Sequence, residues 1–289
     1  MRIVRFFATD ETVHLGIRDG DRVIDLGEGS PIGLMDGTAR LDGPTVPAQG
    51  LRLDAPIRDA KKLLALAGNY RKHVAESGFV APVERDIITP QVFSKPPSTA
   101  INSPGRIVTI GPNNVFVDWE IELAVIIGRT AKRVSEAQAM DAVFGYSIIN
   151  DVSERKFNSG IPGRKVREFD PFFDWLAGKW FDGHAPLGPE IVTKDEVRDP
   201  HRLPIRLWVN DQLMQDSNTS NMIFGIPETI AYISSVMTLE PGDIIAMGTP
   251  EGVGVARGIS LRPGDRMRGE IEGLGVLENR VELDTQHDG

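Results

Sequence analysis

Three carboxylates recur at every second position in VDWEIELAVIIG: Asp118, Glu120 and Glu122. On a strand, alternate side chains share a face, and successive same-face positions lie about 7 Å apart, close enough for two flexible carboxylates to reach one cation. Acidic alternation by itself more often marks a solvated sheet face. Here the apolar run LAVII follows at once, and carboxylates entering a core would repel one another unless neutralised. A fourth acid, Asp151, follows the apolar segment VFGYSIIN, where a strand gives way to a loop. Ligands often sit at such points on a rigid scaffold, although Asp151 alone is equally a turn or helix cap. Carboxylates without cysteine or paired histidine specify a hard cation, Mg²⁺ or Mn²⁺, with Ca²⁺ admissible and zinc disfavoured. Spacing leaves open which two of Asp118, Glu120 and Glu122 would bind it.

His73 and Glu76 stand at i and i+3. On one helix face, the carboxylate would fix the imidazole's tautomer and raise its basicity. An isolated H-x-x-E pair is more often a surface ion pair. Other chemistries lack their spacing: there is no G-x-S-x-G elbow, no H-E-x-x-H and no Walker A loop. Gly252, Gly254 and Gly258 miss the dinucleotide fingerprint by one residue and read as a turn. His14, His184, His201 and His287 have no partner at a telling spacing.

The elements that must position these groups are mostly strands. IVRFFA, VHLGI and RVIDL, separated by ATDET and RDGD, read as a small β-meander. Residues 27–56 are rich in Gly, Pro and Asp, so a boundary is expected near residue 57: a small N-terminal β domain (1–57) and a larger domain (58–289). In the latter, KLLALA, RIVTI, IELAVIIG, VFGYSII, IRLWV, DIIAM, RMRGEIEG and LENRVEL read as strands. Few helices interrupt them. Ser135 and Gln138 have capping-box spacing, and a second helix from Pro227 would carry the stripe Ile230, Ile233 and Met237. The alternation is not a regular βαβα, so the expected class is β-rich α+β.

With 289 residues, 40% of them hydrophobic and 25% charged, the chain can bury a large core. Zero cysteines exclude disulfides and thiolate sites and fit a reducing, cytoplasmic setting. A net charge of −9 without a basic stripe argues against a nucleic-acid partner, and short apolar runs argue against a membrane span.

GNYRKHVAE, VFSKPP, DWEIELAVIIG, GYSIINDVSER, KWFDGHAPLGP, QDSNTSNMIF, PGDIIAMGTPEGVG and LRPGD occur in this order between about residues 60 and 283. In this the chain resembles the fumarylacetoacetate hydrolase family. The resemblance implies a mixed β-roll, usually homodimeric, with Mg²⁺ or Mn²⁺ held by Glu120, Glu122 and Asp151. It implies catalytic roles for His73, Glu76 and Lys179, with the segment bearing His73 and Glu76 acting as a lid. Arg155, Thr249, Tyr70, Gln215 and Lys95 match positions that contact substrate. The implied reaction is hydrolysis of a carbon–carbon bond in an acylpyruvate or related 2,4-diketo acid, His73 activating water and Lys179 with Arg155 stabilising the oxyanion. Decarboxylation, isomerisation or lysis of a 2-keto or ureido acid is the alternative, and a non-catalytic acid-binding protein stands behind both. One departure is Asn158, where some hydrolases of the family carry glutamine. The stretch SGFVAPVERDIITPQ gives no substrate signature.

Overall fold

A computed structural model of the chain describes residues 1–78 and 84–285. Part of SGFVAPVERDIITPQ and His287 thus lie outside the described residues. Among these residues the largest sheet is 12-stranded and mixed. At its centre runs the wholly buried strand Ile121–Ile127, whose residues are apolar except for Glu122. It pairs antiparallel with Val143–Asn150 on one side and with Ile244–Ala246 on the other. Beyond Ile244–Ala246 come Leu63–Ala67, in parallel, and then Gln91–Lys95. A five-stranded sheet is built on Pro204–Val209, Arg266–Ile271 and Gly275–Leu283. It packs on the first sheet: a Cβ at Gly269 would meet Ile121 at 2.3 Å. The main apolar core, including Trp119, Ile148, Leu207 and Leu277, fills the space between.

The N-terminal segments form the meander, Arg2–Phe7, Val13–Asp19 and Arg22–Glu28. Its first strand also pairs with Ala185–Thr193, so the meander prolongs the main sheet. Ala185–Thr193 is a strand that pattern reading misses, because Pro186, Gly188 and Pro189 interrupt it and the pairing shifts register between Tyr146 and Ile148. Asp170–Ala177 is a helix not anticipated from the sequence; it leaves Phe172 and Phe173 more than half exposed, so no clean apolar stripe marks it. The capping box at Ser135 and Gln138 is formed. The helix expected from Pro227 spans Ile226–Val236 and buries Ile230 and Ile233, but Met237 lies past its end and is 37% exposed.

Candidate metal centre and active site

The antiparallel register Ile121↔Asn150 brings the start of one core strand level with the end of the next. Asp151 donates its amide to the Glu120 carbonyl at 2.9 Å, and the Asn150 side chain accepts from the Glu120 amide at 2.9 Å. The two strand ends are thus locked together, and carboxylate oxygens of Glu120, Glu122 and Asp151 lie within 4.8 Å of one another, all buried. Asp118 does not join them. The alternating strand breaks at Trp119 and Glu120; Val117–Asp118 pairs separately with Ser153–Glu154. The one-face reading of all three acids therefore fails for Asp118. Its carboxylate accepts from the amides of Gly254 and Val255 and lies 2.9 Å from Arg155 Nε.

Three cations are drawn into this cluster. Lys179 Nζ lies 2.5 Å from Glu120 and 2.7 Å from Asp151, Lys95 Nζ lies 2.6 Å from Asp151, and Arg155 reaches Glu120 as well as Asp118. Burial alone would raise the pKa of Glu120, but Arg155, Lys179 and His73 outweigh it and hold the carboxylate well below its usual range. Burial lowers Lys95, which has a single carboxylate partner, whereas Lys179, with two, is raised despite its burial. Among the described residues Glu122 makes no ion pair with these cations, although Lys179 bears on it weakly from a distance. Its Oε2 accepts from the Gly248 amide at 2.7 Å, while burial first, then repulsion from Asp151 and Glu120, pushes its pKa well up. Four carboxylates face three cations, and the unmatched one is Glu122. A divalent cation replacing its proton suits an all-oxygen, hard donor set. The residues present fit the metal.

The helix Arg71–Glu76 carries both His73 and Glu76. His73 Nδ1 is 2.9 Å from Glu76 Oε1, and Glu76 Oε2 accepts from the Gly252 amide at 2.8 Å. In the tautomer whose Nδ1–H donates to Glu76, Nε2 is the ring nitrogen left free to accept. The helix sits on the loop after Ile244–Ala246, where Gly248 adopts φ 85° and a Cβ would stand 2.7 Å from that of Asn69. Only glycine fits both demands. Asn69, not singled out from sequence beyond its place in GNYRKHVAE, braces this junction by donating to the carbonyls of Phe224 and Met247 and accepting from the Phe224 amide.

Of the expected substrate contacts, Gln215 and Thr249 point inward. Gln215 accepts from the Ile121 amide and donates to Thr249 Oγ1 and the Pro250 carbonyl, and Thr249 donates to the Ile121 carbonyl. Arg155 is committed to Asp118 and Glu120. Tyr70 is fully buried, with its hydroxyl unpartnered. Asn158 turns back on its own loop, accepting from the Gly160 amide. Glu154, unsignalled in the sequence, is buried and accepts from the amides of Val115, Phe116 and Lys156. The other described histidines are engaged away from the triad. His14 pairs with Asp25, His201 accepts from the Ile226 amide, and His184 bonds the Thr109 carbonyl, burial lowering its pKa to about 4.

Residues 62–282 match the family model described as "Fumarylacetoacetate (FAA) hydrolase C-terminal". The chain belongs to the fumarylacetoacetate hydrolase family. Residues 1–56 match a second model, "Rv2993c-like, N-terminal". Oxaloacetate tautomerase FAHD2B, mitochondrial, of Bos taurus is 39% identical over 302 residues, covering 97% of this chain and 91% of that protein. Among solved structures, 5-carboxymethyl-2-hydroxymuconate delta-isomerase from Mycobacterium smegmatis is 34% identical with a TM-score of 0.79, covering 98% of this chain and 100% of that one. Maleylpyruvate hydrolase from Sphingobium sp. SYK-6, solved with manganese(II) and pyruvate, is 31% identical with a TM-score of 0.75, covering 99% and 100%. Family members of this fold thus include isomerases as well as hydrolases. No helix of the described residues is long and apolar enough to cross a membrane.

Proposed function

We propose that the chain is a divalent-metal-dependent isomerase of 2-oxo acids that interconverts their enol and keto forms. The observation that carries this reading is the His73–Glu76 pair, Nδ1 to Oε1 2.9 Å, which the Gly252 amide holds through Glu76 on the loop whose Gly248 amide bonds Glu122 of the carboxylate triad. Glu120, Glu122 and Asp151 would hold Mg²⁺ or Mn²⁺. Once bound, that cation supplies Lewis acidity, offsetting the negative charge that develops on the 2-oxo oxygen.

His73 Nε2 takes the proton of the enol hydroxyl and delivers one to the adjacent carbon, and the reverse sequence regenerates the enol. Glu76 steadies the imidazolium formed between the two transfers. Lys179 pairs with Glu120 and Asp151, and Lys95 with Asp151, so both ammonium groups hold these carboxylates in place at the site. Arg155 orients Glu120, while Gln215 and Thr249 fix the strand end at Ile121. We assign direct substrate contact to Tyr70 and Lys179. The order of the two leading reactions thus reverses the expectation from motifs, on the strength of the tautomerase and isomerase relatives.

Hydrolytic carbon–carbon cleavage of a 2,4-diketo acid stands second, favoured by the maleylpyruvate hydrolase neighbour. There His73 would deprotonate water as it adds to the distal carbonyl; the carbon–carbon bond then breaks, its electron pair leaves with the 2-oxo acid fragment, and His73 returns the proton to that carbon, giving pyruvate and a carboxylic acid. We place the enzyme in the cytoplasm as a homodimer, on its lack of cysteine and its family respectively. The deciding experiment gives purified protein and Mg²⁺ or Mn²⁺ the enol forms of 2-oxo acids and several 2,4-diketo acids, following enol absorbance and product masses together. Accelerated enol loss at constant mass supports the isomerase. Release of pyruvate and a carboxylic acid puts hydrolysis first, and no change in either signal would sink both.

A further inference from the structure

Asp118, the acid that the fold turns away from the triad, is fully buried and engages both of its oxygens. Oδ1 accepts from the amides of Trp119 at 2.8 Å and Gly254 at 2.6 Å. Oδ2 accepts from the Val255 amide at 3.0 Å and from Arg155 Nε at 2.9 Å. These donors fill the lone-pair sites of a carboxylate. All but Arg155 are backbone groups, and the loop that supplies two of the amides is itself fixed. The Gly252 carbonyl accepts from Trp119 Nε1 at 3.2 Å, and a Cβ at Gly254 would stand 2.6 Å from Asp118 Oδ1 and 2.2 Å from the Ile259 carbonyl oxygen. Asp118 therefore cannot swing toward Arg155. The guanidinium comes to it.

Arg155 spans two carboxylates. With Nε on Asp118, its Nη2 reaches Glu120 Oε1, while Lys179 Nζ lies 2.5 Å from Glu120 Oε2. A guanidinium with one carboxylate partner tends to close a fork on it, two parallel bonds that occupy both oxygens. Held at Nε, Arg155 gives Glu120 Oε1 a single bond, and a lone pair of that oxygen stays open to a cation.

We propose that Asp118 is a positioning residue of the metal site: by holding Arg155 at Nε, it stops the guanidinium from closing on Glu120 and so keeps Glu120 able to take a divalent cation. The inference rests on the reading of Glu120, Glu122 and Asp151 as the metal ligands, and adds to it a residue that touches neither metal nor substrate.

The test measures Mn²⁺ affinity in the full chain, with free ion counted by electron paramagnetic resonance. Asp118→Asn offers one accepting oxygen and turns an amide donor toward N–H groups, which releases Arg155 to Glu120. Affinity should fall about tenfold, the lower end of the usual loss when a group that orients a metal ligand is removed. In an Arg155→Gln background the same substitution should weaken binding by about twofold or less, because no guanidinium is left to restrain. A merely structural Asp118 would lose the same factor in both backgrounds. Arg155→Lys keeps the charge and the amide bonds of Asp118 but has no fork to divide between two acids, so it should bind Mn²⁺ roughly three- to tenfold more weakly than wild type. That variant decides the matter alone if Asp118→Asn does not fold. Wild-type affinity in Asp118→Asn or in Arg155→Lys, or an equal loss in both backgrounds, overturns the proposal. Wild type that binds Mn²⁺ beside any of these results leaves the metal site standing. Failure of wild type to bind Mn²⁺, or binding unchanged by Glu122→Ala, removes the metal site and the inference together.

Discussion

Glu76 Oε2 accepts a hydrogen bond from the Gly252 amide at 2.8 Å, tying the helix that bears His73 to the loop after Ile244–Ala246. Glu76 therefore does more than pair with its own histidine. It sets where the imidazole stands relative to the triad. Glu76→Gln keeps a side-chain oxygen for Gly252 but removes the charge that supports an imidazolium. The expected outcome is a fall in rate of about tenfold, measured by enol decay, with Mn²⁺ affinity unchanged. A mutant as fast as wild type would remove the dyad from the mechanism.

His73→Ala should cost more, about two to four orders of magnitude, the usual span for a lost general base. Metal binding should hardly change, because no ligand is removed. If the mutant turns over the best 2-oxo acid at the wild-type rate, another group moves the proton. Any decarboxylation of oxaloacetate, which needs no activated water, is expected to survive this substitution.

Metal uptake should release a proton. Burial and the repulsion of Asp151 and Glu120 raise the pKa of Glu122, so in metal-free protein it holds a proton above the ordinary carboxylate range, and a cation must displace it. Apparent affinity should therefore rise with pH until that raised pKa is passed. Calorimetry of Mn²⁺ binding in two buffers of different ionisation heat measures the proton directly. Heats that do not depend on buffer would contradict the assignment.

The same shift fixes a stability effect. A carboxyl whose folded pKa lies above its unfolded value favours folding below the unfolded pKa, and that contribution is lost as pH rises through the folded pKa. Glu122→Gln removes the loss. In metal-free protein at neutral pH it should unfold at a higher temperature than wild type, while Mn²⁺ should no longer stabilise it. A large drop in metal-free melting temperature would mark Glu122 as a structural residue.

Gly248→Ala should be destabilising by about 1–3 kcal/mol, because it forces a side chain into a left-handed conformation and against Asn69. It should also loosen the Gly248 amide from Glu122 and weaken metal binding. Denaturant unfolding and a Mn²⁺ titration check the two parts. Wild-type values in both would show that the loop yields easily.

Strand periodicity, the capping box at Ser135 and the acid-rich entry to the core strand were legible because each is a local pattern. The break at Trp119 was not. It depends on Val117–Asp118 pairing with Ser153–Glu154, a contact between segments over thirty residues apart. For the same reason the sequence aligns Asp118 with Glu120 and Glu122, whereas the fold turns it to Arg155 and the amides of Gly254 and Val255. The strand Ala185–Thr193 was hidden by its prolines and glycine, and the inward commitment of Gln215 and Thr249 by partners that no spacing reveals. Burial of polar groups such as Asn69 and Glu154 leaves no mark on hydropathy, since the residues around them look like ordinary loop.

The central claim is that Glu120, Glu122 and Asp151 hold one catalytic cation. Its most direct test is a Mn²⁺ titration of exhaustively chelated protein, with binding and enol conversion followed on the same sample. One Mn²⁺ per chain should bind, and activity should rise from near zero in proportion to the bound metal. Full activity in the chelated protein, or tight binding that survives Glu122→Ala unchanged, would contradict it.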